Sequence, residues 1–64
     1  MKVNGKEICL GGELSLAAFL ESQGYDPSRV AVERCGQIVP RSAFGQTLLQ
    51  QEDTLEIVRF VGGG

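Results

Sequence analysis

The chain contains no histidine and no tryptophan, and only two cysteines, Cys9 and Cys35. The lack of histidine excludes a Cys-His nucleophile, and two thiols are too few for a structural Cys/His zinc site or for the four-cysteine set of an iron-sulfur cluster. No metal site is expected. Six basic residues stand against eight acidic ones, for a net charge of −2, and Lys and Arg never form a run. The counterion release that drives nucleic-acid binding is therefore weak, and nucleic acid is not an expected partner. No stretch approaches the roughly 20 apolar residues of a membrane span. The N-terminus also lacks the charged, apolar and small-residue regions of a signal peptide. These absences predict no membrane association and a cytoplasmic location with both cysteines as free thiols. At 64 residues the chain makes one small domain, burying only about 60% of the surface its unfolded form exposes. Such a domain has little room for a cleft in which scattered Glu and Asp could act as general bases, so an independent enzyme is not expected.

Apolar periodicity and turn chemistry divide the chain into two hairpins, a helix between them and a closing strand. Met1 and Val3 alternate with Lys2, and Asn4-Gly5 supplies the dipeptide most favourable for a tight hairpin, since both turn positions accept positive φ. The returning strand, Glu7 to Leu10, puts Ile8 and Leu10 on the same face as Met1 and Val3 and turns Cys9 away. Ser15 reads as a helix N-cap, with Leu14 and Phe19 placed to form a hydrophobic staple. Leu16, Phe19 and Leu20 make one apolar stripe, and Gly24 suits the left-handed position that ends the helix. Beyond the Tyr25-Asp26-Pro27 turn, Val30 and Val32 alternate with Ala31 and Glu33 in a third strand. Cys35-Gly36 turns the chain into a short fourth strand, Gln37 to Val39, which Pro40 limits. From Arg41 to Gln51 the pattern is irregular, with Phe44, Leu48 and Leu49 as expected apolar plugs. The last strand, Thr54 to Val61, carries Leu55 and Ile57 on one face and Glu56, Val58 and Phe60 on the other. This order predicts an α+β domain of the β-grasp (ubiquitin-like) type. A mixed sheet of four to five strands packs on one main helix, with the C-terminal strand central beside the first strand.

Gly62, Gly63 and Gly64 directly follow that last strand, with no polar spacer between. A glycine lacks Cβ and passes through slots that reject other residues. Three of them span roughly 10 Å when extended. The chain is thus expected to divide into a β-grasp domain, 1–61, and a flexible glycine tail, 62–64. Two readings of the tail stand side by side: a frayed end, or a device that carries the Gly64 carboxylate into a partner's active site.

Three segments carry a likeness to a known family. They are the Asn4-Gly5 hairpin, the stretch Ile38-Val39-Pro40-Arg41-Ser42, and the ending from Glu56 through Phe60 and Val61 to the three glycines. In these the chain resembles the bacterial thiamine-pathway sulfur carriers, the ThiS family, over nearly its whole length. The family often has Asn-Gly where this chain has Cys35-Gly36, and Gly-Asp where it has Glu52-Asp53. A Cys or Glu held at positive φ there would be strained. The resemblance implies a carrier and not a catalyst. A partner adenylating enzyme uses ATP to convert the Gly64 carboxylate to an acyl-adenylate, and sulfur from a persulfide-bearing protein replaces AMP. The resulting thiocarboxylate then supplies sulfur to thiazole synthase. Gly62, Gly63 and Gly64 form the inserted tail, Gly64 is the modified residue, no catalytic residue is expected, and ATP is bound by the partner alone.

Body docking is expected on the open sheet face at Val58 and Phe60, with Ala31 beside them, because small monomers seldom expose neighbouring large apolar groups. The competing reading covers these side chains with a loop or another copy of the chain. Arg41 and Arg59 are read as solvated or as adding charge complementarity, and Cys35 as structural or as a persulfide-handling thiol. Three other functions fit the same tail and fold: the small subunit of molybdopterin synthase, a ubiquitin-like protein modifier, and a passive β-grasp binding module.

Overall fold

A computed structural model describes residues 1–60 of the chain. Val61 and the glycine segment 62–64 lie outside the described residues, and with them the expected flexible tail. Among the described residues the strands are β1 (Lys2–Val3), β2 (Lys6–Glu7), β3 (Val30–Arg34), β4 (Gln37–Ile38) and β5 (Thr54–Arg59), with one α-helix, α1 (Leu16–Ser22), and two short 3-10 helices, Pro27–Arg29 and Arg41–Ala43. They form one sheet in the order β2-β1-β5-β3-β4. β1 and β5 are parallel, and the other neighbours pair antiparallel. This is the expected β-grasp architecture, with β5 paired on both sides.

The first hairpin closes as its sequence dictates. Val3 pairs with Lys6, leaving Asn4-Gly5 as the loop at φ 51° and 85°, the mirror-image turn whose twist matches that of the strands. The Asn4 side chain then takes over where β1 stops. Its Oδ1 accepts from the Ile57 amide at 2.7 Å and its Nδ2 donates to the Ile57 carbonyl at 3.2 Å. Strand β2 covers Lys6–Glu7 and not the expected Glu7 to Leu10, although the Ile8 amide still donates to the Met1 carbonyl at 2.7 Å.

Ser15 caps α1 by accepting from the Ala18 amide at 3.1 Å. At the other end Gly24 adopts φ 83°, and the Tyr25 amide reaches back to the Leu20 carbonyl at 2.9 Å, which satisfies a carbonyl the helix leaves free. The helical stripe Leu16, Phe19 and Leu20 is buried against Met1, Val3, Val30, Val32, Leu55 and Ile57, and Phe44 and Leu49 close the core.

Leu48 departs from expectation: it is 46% exposed, whereas Leu49 is buried. The segment is extended, with Ser15 bridged to Leu48 and the Leu49 amide bonded to the Leu14 carbonyl at 3.0 Å. Successive residues of an extended backbone point to opposite sides, so only one of the two leucines can face inward.

Cys35 sits at φ 51° in the second hairpin, with Gly36 at 85°. Glu52 is not at positive φ; among the described residues the non-glycines in that region are Asn4 and Cys35. The left-handed conformation costs an ordinary residue roughly 1–2 kcal/mol, and Asn tolerates it better. Cys35→Asn should therefore raise stability by about 1 kcal/mol, read as a higher urea midpoint at unchanged slope. A lower midpoint would mean that the thiol makes a contact worth more than the strain.

Candidate functional site

The candidate site is the end of β5 and the open face around it. β5 is held by β1 on one side and by β3 on the other, with Val58 opposite Ala31. Pairing continues past the strand proper, since the Phe60 amide donates to the Arg29 carbonyl at 3.0 Å. The last described residue is thus tied to the sheet.

Side chains alternate along β5 as expected. Leu55 and Ile57 are buried, whereas Val58 is 58% and Phe60 57% exposed. Ala31 is half-buried beside Val58. Among the described residues nothing covers this face, so the reading in which a loop of the same chain shields it does not hold for them.

The register adds a residue that was not assigned to this face from the sequence. Ile38 lies opposite Glu33 on the neighbouring strand, which places it on the same open face as Ala31 and Val58, and it is 66% exposed. Alternation alone hinted at it, because Val39 beside it packs against the core.

Cations gather where β5 ends. Arg59 stacks on the Tyr25 ring with its guanidinium carbon 4.6 Å from the centroid. Arg41 donates to the Pro27 carbonyl at 3.2 Å, and Arg29 lies 3.6 Å from the Asp26 carboxylate. Asp26 is held below its ordinary pKa mainly by the hydroxyl and amide of Ser28, with the two arginines adding to the effect. Arg41 and Arg59 are therefore placed by local contacts, and both remain exposed.

Another ion pair lies at the start of β5. Arg34 donates to Asp53 at 2.9 Å in a pair that is largely buried on the aspartate side. Burial alone would raise the Asp53 pKa, but the Gln50 amide at 2.8 Å and Arg34 outweigh it and hold the carboxyl below the usual carboxylate value. Cys35 is exposed, with its Sγ 3.8 Å from Asp53 Oδ1. Its one cationic neighbour in sequence, Arg34, is committed to Asp53 and to the Leu48 carbonyl. The cation adjacent to the thiol in sequence is thus already engaged.

The described residues include no group of three His, Cys, Asp or Glu able to hold a metal ion, and no helix long and apolar enough to cross a membrane. The fold and this face define a ubiquitin-like β-grasp protein whose distinguishing surface lies at the root of its C-terminal segment. Comparison with known proteins narrows the class. The ThiS family model matches residues 1–64. The crystal structure of a thiamine biosynthesis protein (ThiS) from Geobacter metallireducens superposes with a TM-score of 0.81 at 32% identity, covering 98% of this chain and 96% of that one. A thiazole synthase from Paramagnetospirillum magneticum is 42% identical over 62 residues, 97% of this chain but 19% of that protein. "Uncharacterized protein ycf40" of Pyropia yezoensis is 33% identical over 64 residues, covering 90% of its length. The chain belongs to the ThiS family. It spans 19% of the length of the two thiazole synthases it matches, those of P. magneticum and Magnetococcus marinus.

Proposed function

We propose that this chain is a sulfur carrier of thiamine biosynthesis that works in the cytoplasm through the carboxylate of Gly64. A carboxylate is a poor electrophile with a poor leaving group, so a partner enzyme must activate it. A carboxylate oxygen attacks the α-phosphorus of ATP and pyrophosphate leaves, giving an acyl-adenylate. The terminal sulfur of a protein persulfide then attacks the acyl carbon and displaces AMP. A thiol cleaves the resulting acyl disulfide, leaving the Gly64 thiocarboxylate. Thiazole synthase takes the sulfur from there.

The observation that carries this reading is the anchoring of β5. Hydrogen bonds on both edges hold the strand that precedes the glycines, so a partner that grips the body at Val58, Phe60 and Ala31 also sets the direction in which Gly62, Gly63 and Gly64 leave. The thiazole synthase relatives favour this pathway over the molybdopterin one.

Intact-mass measurement after incubation with ATP, an adenylating enzyme and a sulfur donor tests the chemistry. The expected gain equals the replacement of one oxygen by sulfur, localised to Gly64. An unchanged mass with an enzyme proven active on another carrier would refute it.

Phe60→Ala should weaken binding to the adenylating enzyme by about tenfold, the loss of one central aromatic anchor. Its melting temperature should stay close to that of the parent, because the ring is more than half exposed. A collapsed melting temperature with unchanged affinity would place Phe60 in the core.

A further inference from the structure

We propose that Glu33 and Glu56 form a cation-receiving pair on the docking face, filled by an Arg or Lys side chain of the adenylating enzyme. The proposal deepens the carrier reading given above and rests on it. The two glutamates lie directly opposite each other on β3 and β5. Hydrogen bonds from Cys35 to Thr54 and from Phe60 to Arg29 bracket them at even spacing along the same two strands, so Glu33 and Glu56 form a hydrogen-bonded pair with Cα atoms about 5.5 Å apart. Both side chains are exposed. Like charges placed directly across a sheet are destabilising.

The fold provides no compensation. Among the described residues neither glutamate takes part in an ion pair or a side-chain hydrogen bond. The cross-strand neighbour of Glu33 on its other side is Ile38. Asn4 follows Val3 beside Glu56, but its amide is spent on Ile57. Lys2 lies one row away, opposite Thr54 and Glu7. Among the described residues two carboxylates are therefore kept together on the two most extensively paired strands with no cation paired to them.

Their position says what relieves the repulsion. Glu56 is two residues, about 7 Å, from Val58 along β5, Glu33 is two residues from Ala31 along β3, and both share a face with Phe60 and Ile38. A surface that covers the apolar groups must also cover the glutamates. It would bury two negative charges unless it brought a positive one, and a guanidinium or ammonium between the carboxylates answers both demands. The occupant we assign is the adenylating enzyme and not thiazole synthase. In two thiazole synthases a segment similar to 97% of this chain is part of the same polypeptide, and such linkage supplies a high effective concentration without help from charge. A separate enzyme must find the carrier by diffusion, where complementary charge acts most strongly.

The test uses the full chain with both glutamates changed to glutamine (E33Q/E56Q), and ATP-pyrophosphate exchange by the adenylating enzyme with carrier concentration varied. The KM for carrier should rise about tenfold at low salt, the association rate should fall in parallel, and the difference should narrow as salt is raised. The variant should melt at a temperature equal to or above that of the parent, which separates a lost contact from a damaged fold. Charge reversal in E33K/E56K should weaken the interaction further. A KM unchanged or lowered in E33Q/E56Q, while the parent is adenylated normally, overturns this proposal alone. Weakened binding to thiazole synthase with an unchanged KM for adenylation overturns the assigned occupant. Failure of the parent itself to exchange overturns the carrier reading, and this proposal with it.

Discussion

A chain lacking Gly63 and Gly64 should be inert to adenylation and should melt at the temperature of the full-length protein. In the proposed mechanism the reacting group is the terminal carboxylate, and removing two residues would retract it by roughly 7 Å. Reacting atoms must approach to about 3–3.5 Å, and a misplacement of only 1 Å can cost a factor of about 10² in rate. The expected loss therefore exceeds about 10³-fold in ATP-pyrophosphate exchange, and no sulfur-dependent mass gain should appear. Stability should not follow, because the buried residues of the core run from Met1 to Ile57. Gly63→Val is the sharper companion, keeping the length while adding a branched side chain where the partner's channel expects none. Sulfur loading of the truncated chain would move the chemistry elsewhere, with the exposed Cys35 as the first residue to examine. Preserved partner function without the glycines would instead support a passive binding module.

Leu55→Ala should lower stability by about 2–5 kcal/mol, the usual cost of emptying a buried leucine site. The margin of a domain this size is about 3–10 kcal/mol at ordinary stability per residue. Much of it would go in one substitution. Leu55 is fully buried and lies between Val3 on β1 and Arg34 on β3, so the cavity would open at the centre of the sheet. A large fall in the urea midpoint is expected, with sulfur transfer falling only as the folded fraction falls. Its contrast with Phe60→Ala is informative: both are large apolar residues of one chain segment, but Leu55 should alter folding and Phe60 partner binding. A Leu55→Ala variant melting within a few degrees of the parent would contradict the core described above.

Several of these placements are legible in the sequence because their causes are local. Asn4-Gly5 needs only its own φ values, Ser15 only the Ala18 amide, and Gly24 only the turn behind it. The inward set on β5 follows from alternation within one strand. The expected docking residues Val58 and Phe60 emerged for the same reason, as the partners in alternation of Leu55 and Ile57. Leu48 and Leu49 were not separable in this way, since which of the two turns inward depends on an antiparallel bridge to Ser15, far away in the chain. Alternation with Val39 only hinted at Ile38, and its register with Glu33 assigned it to the open face. The Arg34–Asp53 pair, 19 residues apart, has no sequence spacing that announces it.

What the chain determines by itself is therefore its set of elements, its apolar stripes, its turns and the presence of a glycine end on a strand. These depend on steric limits and hydrogen bonds that act over a few residues, and they survive any arrangement of the rest. The tertiary structure decided which strands lie beside β5 and in what register. That choice set Glu33 against Glu56, gathered Ile38, Ala31, Val58 and Phe60 on one side, and placed Arg29 and Arg59 at the strand's end. A surface is a property of neighbours brought together by packing and loop closure, and residue order alone carries no distance between them.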